Sequence, residues 1–200
     1  KEAGIALELQ SAVQAEGRRH CPIFQSFRYR PHTSAGSRTP RAGAQCGEQA
    51  ARIHALDPAG LPPLPVQGAR EQIELYRGYL DGFGEPHPAF ELGLRWLADH
   101  APADPPSPAL VHGDFRNGNL VVGPDGVRAV LDWELAHLGD PVEDLGWLCV
   151  KSWRFGVTDQ RVGGFGTVDD LLAAYRATGG RDVDPLELRF RNAYRDGDMK

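Results

Sequence analysis

Lysine is almost missing from this chain. Of 200 residues, only Lys1, Lys151 and Lys200 are lysine, and the formal net charge is −5. A general nucleic-acid binder needs a basic face to neutralise phosphates, and this composition argues against one. It leaves open the binding of a nucleoside triphosphate, whose charge a metal ion can neutralise. Cysteine is scarce too. Cys21, Cys46 and Cys149 are far apart and odd in number, and no C-x-x-C occurs. Neither a zinc site nor a disulfide framework is expected, and a reducing, cytoplasmic setting is the default. No apolar run approaches the ~18 residues of a membrane span. No signal-peptide pattern follows Lys1, and the chain reads as an internal piece of something longer. No internal repeat is visible. The length suffices for one domain with a sizeable core.

What is present centres on residues 110–147, LVHGDFRNGNLVVGPDGVRAVLDWELAHLGDPVEDLGW. Asp114 and Asn119 lie five apart in H-G-D-x-x-x-x-N, a spacing that suits a loop presenting a carboxylate and an amide oxygen to one site. A short apolar run, Leu120 to Val122, leads into Gly123-Pro124-Asp125-Gly126 and a second run, Val127 to Leu131. Proline second and glycine fourth favour a type I turn, so the segment is predicted to fold back as a hairpin. Paired strands lie roughly 5 Å apart. The hairpin therefore returns Asp132 to Asn119, and the two can share a cation. Few ligands, all oxygen, leave room for waters and phosphates, which suits Mg²⁺. Asp114 is left for proton work.

Around this centre the elements are mostly helical. Residues 1–17 are expected to form a helix, with Ile5, Leu9 and Val13 on one face. The stretch 18–44 is rich in Arg, Ser and Pro and has no period. It reads as a poorly ordered linker or as sequence foreign to its surroundings. Helices are predicted over Gln45 to Leu56, Arg70 to Leu80 and Pro88 to His100. His54 reads as a packed or surface side chain rather than a ligand, and Trp96 as core rather than a stacking platform. Asp140-Pro141-Val142-Glu143 signals a helix start, with Cys149 on its buried face. Gly163-Gly164-Phe165-Gly166 follows no strand, has no lysine after it, and reads as a loop rather than a phosphate cradle. Thr167 caps a further helix that ends at Gly179-Gly180. Asp184-Pro185 opens another, carrying Leu186, Phe190 and Ala193. Asp169, Asp170 and Glu187 read as a solvated face.

Taken singly, His112-Gly113-Asp114 and Asn117-Gly118-Asn119 are ordinary turn punctuation. Together with a hairpin and a returning Asp-Trp-Glu they form a spacing that turns do not require. Phosphoryl transfer needs a base for the attacking hydroxyl, metal ligands for the phosphates, and positive charge at the transferring group. Asp114 fits the base, and Asn119 and Asp132 fit the ligands. Arg116 can meet the γ-phosphate in the transition state or face solvent. A metal-dependent phosphohydrolase would want ligands for a second metal, and none is visible.

The motifs LVHGDFRNGNLVV and VLDWELAHLGDPVEDLGW resemble the catalytic core of the aminoglycoside phosphotransferase family, which shares the protein-kinase-like fold. AARIHALDPAGLP, at 50–62, carries a weaker likeness. The likeness covers about residues 45–196 and implies an α+β, mostly helical fold: the C-terminal lobe, with its catalytic-loop hairpin, spanning 45–200. It implies an ATP- and Mg²⁺-dependent transfer to a small-molecule hydroxyl, with Asp114 as base and Asn119 and Asp132 on the metal. It also implies that His112 braces the catalytic loop, that Asp144 holds that loop's backbone, and that Glu134 and His137 border the nucleotide and substrate cleft. The wording DWE-x-A-x-x-GDP-x-x-DL-x-W is most similar to the branch associated with acyl-CoA dehydrogenases, which implies a hydroxyacyl-CoA acceptor. Such kinases hold ATP under a lobe with a glycine-rich loop and a strand lysine. Neither precedes the motif here, so the chain by itself is expected to be an incomplete, inactive piece. The alternative is a kinase-like module that binds without transferring phosphate. The full set of Asp114, Asn119 and Asp132 favours the enzyme.

Overall fold

The computed structural model describes residues 41–123, 125–185 and 188. The expected helix at 1–17, the stretch 18–40, the turn residue Pro124, and Leu186, Phe190 and Ala193 lie outside the described residues.

Helix α1 spans Ala42–His54, beginning a little before the expected Gln45. One side of it is built from small residues: Ala42, Gly43, Cys46, Gly47, Ala50 and Ala51 are all buried. That side lies against α5, Val168–Ala177. The approach is backbone to backbone. A Cβ on Gly47 would run into the Leu171 carbonyl oxygen and come within 2.9 Å of the Tyr175 nitrogen. Helix α5 starts where expected, with Thr167 Oγ1 accepting from Asp170 N at 3.1 Å. Helix α4, Val142–Leu148, also contacts α1. Asp140 accepts from Val142 N at 3.0 Å through its side chain and from Glu143 N at 3.0 Å through its carbonyl. That is the capping role the sequence signals, with the helix proper starting one residue after Pro141. Phe115, Leu145, Leu148, Cys149, Leu171 and Tyr175 fill the core among these elements. Cys149 is a core residue as expected, its thiol pushed up to about 12 by burial.

Helices α2, Ala69–Gly82, and α3, Pro88–Asp99, form a separate pair. They share a small apolar cluster of Ile73, Leu94 and Leu97. Trp96 departs from expectation. It is 37% exposed and stacks on His100 at 4.3 Å, because the apolar stripe of α3 is narrow and Leu94 and Leu97 occupy it.

Four short strands make two antiparallel pairs. Strands β2, Leu120–Gly123, and β3, Gly126–Val130, form the predicted hairpin, with Leu120 opposite Val130. Gln45 of α1 ties down its turn, donating to the Asp125 carbonyl at 2.8 Å and accepting from Val127 N at 3.3 Å. Strands β1, Ala109–Val111, and β4, His137–Gly139, pair with Val111 opposite His137. The Pro-rich connection after α1 joins this pair, since Leu138 exchanges backbone hydrogen bonds with Pro65 and Gln67 at 2.9 Å each. The glycine-rich segment Gly163–Gly166 is a turn closed by Val162 and Gly166, as expected of a loop. No described helix is long and apolar enough to cross a membrane.

Candidate active site

The loop after β1 is held from beneath by one carboxylate. Asp144, fully buried on α4, accepts from His112 N at 2.8 Å and Gly113 N at 3.0 Å. It also accepts from His54 Nε2 of α1 at 3.1 Å. Burial alone would raise this carboxyl. The hydrogen bond and charge of His54, with the His112 contacts, outweigh it and hold the group below the usual carboxylate range. His54 Nδ1 in turn lies 3.0 Å from the Tyr175 hydroxyl. Burial pushes that phenol up to about 12. The chain Tyr175, His54, Asp144 and loop backbone thus joins α5, α1 and α4 to the loop. Gly113 makes the sharp turn at φ +80, and a Cβ there would meet the Leu135 carbonyl at 2.5 Å.

His112 sits inside the loop's curve, fully buried. Its Nε2 lies 3.0 Å from the Leu131 carbonyl, and its Nδ1 accepts from Asp114 N at 3.1 Å. One neutral tautomer, Nε2–H, satisfies both contacts. Burial depresses the ring's pKa, more than the nearby carboxylates and the Leu131 carbonyl raise it. The same ring therefore ties the start of the loop to the end of the hairpin.

Asp114 faces outward from this frame. Trp147 Nε1 donates to Oδ1 at 2.6 Å, Asn119 Nδ2 to Oδ2 at 2.8 Å, and Arg116 Nε to both oxygens at 3.0 and 2.9 Å. Three N–H groups therefore meet a carboxylate with about four lone-pair positions. Asn119 is buried and uses the same amide nitrogen on the Asp114 carbonyl at 2.9 Å. Its amide oxygen is the group left for a cation.

The hairpin returns as the sequence predicts. Leu131 N donates to the Asn119 carbonyl at 2.8 Å, and Asp132 follows directly. Asp132 has φ +70, an uncommon backbone state that asparagine and aspartate tolerate best. No described residue donates a hydrogen bond to its half-buried carboxylate. A carboxylate and an amide oxygen are donor types that suit a hard cation. Among the described residues no group of three or more His, Cys, Asp or Glu converges as a metal site. A cation here would complete its shell with water and phosphate, the habit of Mg²⁺.

The two expected cleft residues part company. Glu134 is exposed in the turn before β4. His137 is buried, with its ring between the carbonyl of Leu135 at 2.9 Å and the Glu143 carboxylate at 3.4 Å, and with Gln72 of α2 at 3.4 Å. Burial works against its charged form, but Glu143 and the Leu135 carbonyl outweigh it and raise the pKa. Three site neighbours escaped sequence reasoning. His54, Trp147 and Trp153 reach the loop across long sequence separations, which no local spacing encodes. The repeated tryptophan after Asp144 was the available signal.

Comparison with known proteins bears on the family and the fold. Acyl-CoA dehydrogenase family member 11 of Gallus gallus is 34% identical over 131 residues, covering 60% of this chain and 16% of that protein. The crystal structure of a macrolide 2'-phosphotransferase from Brachybacterium faecium superposes with a TM-score of 0.53 at 25% identity, over 78% of this chain and 50% of that one. An aminoglycoside phosphotransferase from Streptomyces rimosus, solved with ADP and streptomycin, shares the fold at a TM-score of 0.53 and 19% identity, over 80% and 62% of the two chains. The chain thus spans only part of each relative's length. The sequence profile of the APH phosphotransferase enzyme family matches residues 8–188. With that match over most of its length, the chain belongs to the APH phosphotransferase family, of protein-kinase-like fold.

Proposed function

We propose that the site transfers a phosphoryl group from ATP to the hydroxyl of a small molecule. The observation that carries this reading is the set of contacts on Asp114. Three N–H groups, making four contacts, fix the orientation of its carboxylate. Asp114 accepts the proton of that hydroxyl as its oxygen attacks the terminal phosphorus and ADP leaves. Arg116 keeps Nε on Asp114 while its two terminal nitrogens, which bond no described residue, meet the transferring phosphoryl group. Asn119 and Asp132 would hold Mg²⁺, which when bound neutralises the β- and γ-phosphate oxygens. His112 and Asp144 act by holding the loop, and Glu134 would border the cleft. His137, buried against Glu143, would act on that border only through the backbone of β4.

Within this reading the acceptor is a hydroxyacyl-CoA-type alcohol. Support comes from the identity to a protein named as an acyl-CoA dehydrogenase family member, and from the DWE-x-A-x-x-GDP wording. The free thiols of Cys46 and Cys149 fit a cytoplasmic setting. The chain by itself binds ATP·Mg weakly, because no strand lysine precedes the motif. Isothermal titration tests this, and micromolar affinity would refute it. Radiolabelled transfer at millimolar ATP·Mg, against a panel of alcohols that includes hydroxyacyl thioesters, tests the activity. Asp114→Asn should lower it by a factor of about 10²–10⁴. Equal transfer by the mutant would remove Asp114 as base. The alternative, a kinase-like binding module, rests on how fully Asp114 is engaged. It predicts ligand binding with no transfer by either protein.

A further inference from the structure

Two tryptophans lie against the Asp114–Arg116 pair in a way that packing alone does not require. Trp147, at the end of α4, aims its indole N–H at Asp114 Oδ1, 2.6 Å away. Trp153 lies on the 3-10 turn Lys151–Arg154 that follows. Its ring carries the Arg116 guanidinium on its face, with the central carbon 4.6 Å from the ring centroid. The two indoles also touch each other edge to face, with centroids 5.2 Å apart and planes at 74°.

The turn is built to hold this pose. Arg154 donates to the Cys149 carbonyl through Nε at 3.2 Å and Nη2 at 2.6 Å, closing the end of α4. Phe155 takes the left-handed state at φ +48, uncommon for an aromatic residue. The 3-10 turn Asn117–Asn119 packs on it, and Asn117 Nδ2 donates to the Gly163 carbonyl at 2.6 Å. Trp153 gives up something for this placement. Its Nε1 is buried and finds no acceptor. Buried N–H groups are nearly always bonded, so an orphan asks for a reason. The ring face under Arg116 supplies one.

We infer that Trp147 and Trp153 are positioning residues that together fix the Asp114–Arg116 pair. Trp147 sets the carboxylate through one N–H, and Trp153 sets the guanidinium through its ring face. The edge contact between the indoles makes the two placements interdependent. In consequence Arg116 keeps its Nε on the base while its terminal nitrogens point away from it. This deepens the phosphotransferase reading by adding residues to the same site, and it rests on that reading for its catalytic meaning.

The test is nuclear magnetic resonance on the full chain, labelled with ¹⁵N in tryptophan and arginine. Asp114→Asn should move the Trp147 indole signal more than those of Trp96 and Trp133, since only Trp147 bonds that carboxylate. Trp153→Leu should speed water exchange at Arg116 Nε–H about fivefold, the factor to which a partly buried cation–π contact corresponds. Trp153→Phe, which keeps a ring face, should restore most of the protection, a rescue that mere volume filling would not produce. A Trp147 signal that moves no more than Trp96 in Asp114→Asn would overturn the proposal. So would Arg116 exchange within twofold of wild type in Trp153→Leu. Should Trp153→Leu not fold, the Asp114→Asn arm decides alone. Neither arm reads turnover, so this proposal and the phosphotransferase reading fail separately.

Discussion

Asp144→Asn is the sharpest perturbation of the frame behind the site. The carboxylate accepts two loop N–H groups and one imidazole N–H in a fully buried place. Asparagine keeps one acceptor oxygen and turns an NH₂ towards donors that also carry hydrogen. At least one of those donors loses its partner. Hydrogen bonds to a charged group contribute about 1.5–3 kcal/mol each, and removing one partner of a buried pair costs about 3–5 kcal/mol. A loss of about 3 kcal/mol is expected, a large share of the ~5–15 kcal/mol that holds a typical domain together. In urea, with a slope of ~2 kcal/mol per molar, the midpoint should fall by about 1.5 M without a change in slope. Tryptophan fluorescence follows it. The sign of the pH dependence is fixed. Asp144 has a lowered pKa in the folded state, so its stabilisation is present above the unfolded value of 3.8 and is lost as pH falls through the folded one. The gap between wild type and mutant should persist at pH 5 and narrow below pH 4. A midpoint shift under about 0.3 M at neutral pH would refute the reasoning.

Other outcomes follow from the same geometry. Gly47→Ala places a methyl group against the Leu171 carbonyl. It should cost about 2 kcal/mol of overpacking and lower Tm by roughly 4–8 °C, read by calorimetry. His112 and His137 should give opposite pH slopes of stability. Burial lowers His112, so its contribution is lost as pH falls from its ordinary value of 6.5 towards the folded one, and His112→Gln should flatten that acid-side loss. Glu143 helps raise His137 against burial, so its contribution is present below 6.5 and lost as pH rises through the folded value. His137→Gln should flatten that alkaline-side loss. Urea midpoints between pH 5 and 8 measure both.

The hairpin was legible because its signals are local. Two short apolar runs flank the turn signal Gly123-Pro124-Asp125-Gly126, and their pairing brings Leu131 to Asn119. Helix starts at Asp140 and Thr167 were legible for the same reason, since a capping side chain acts within three residues. Strands β1 and β4 were not, because three residues carry no usable period and their pairing joins Ala109 to Gly139. His54 read as a packed or surface side chain, and it is packed. What the sequence hides is that its packing partners are Asp144 and Tyr175, brought together only by the α1–α5 and α1–α4 contacts. Trp96 misled because helical spacing identifies a stripe without giving its width, and α3 buries only Leu94 and Leu97. Asp114 was legible as a candidate base. That Trp147 would bond it was not, since the two are 33 residues apart.

The central claim is that Asp114, Asn119 and Asp132 serve one cation-assisted centre. Mn²⁺·ATP, a paramagnetic stand-in for Mg²⁺·ATP, reports on it directly through broadening of nearby resonances. Titrated to millimolar levels into the uniformly ¹⁵N-labelled chain, it should broaden the Asn119 side-chain amide and the Asp132 backbone first, and Asp132→Asn should weaken the effect. No broadening at either position, or broadening centred elsewhere in the chain, would contradict the account.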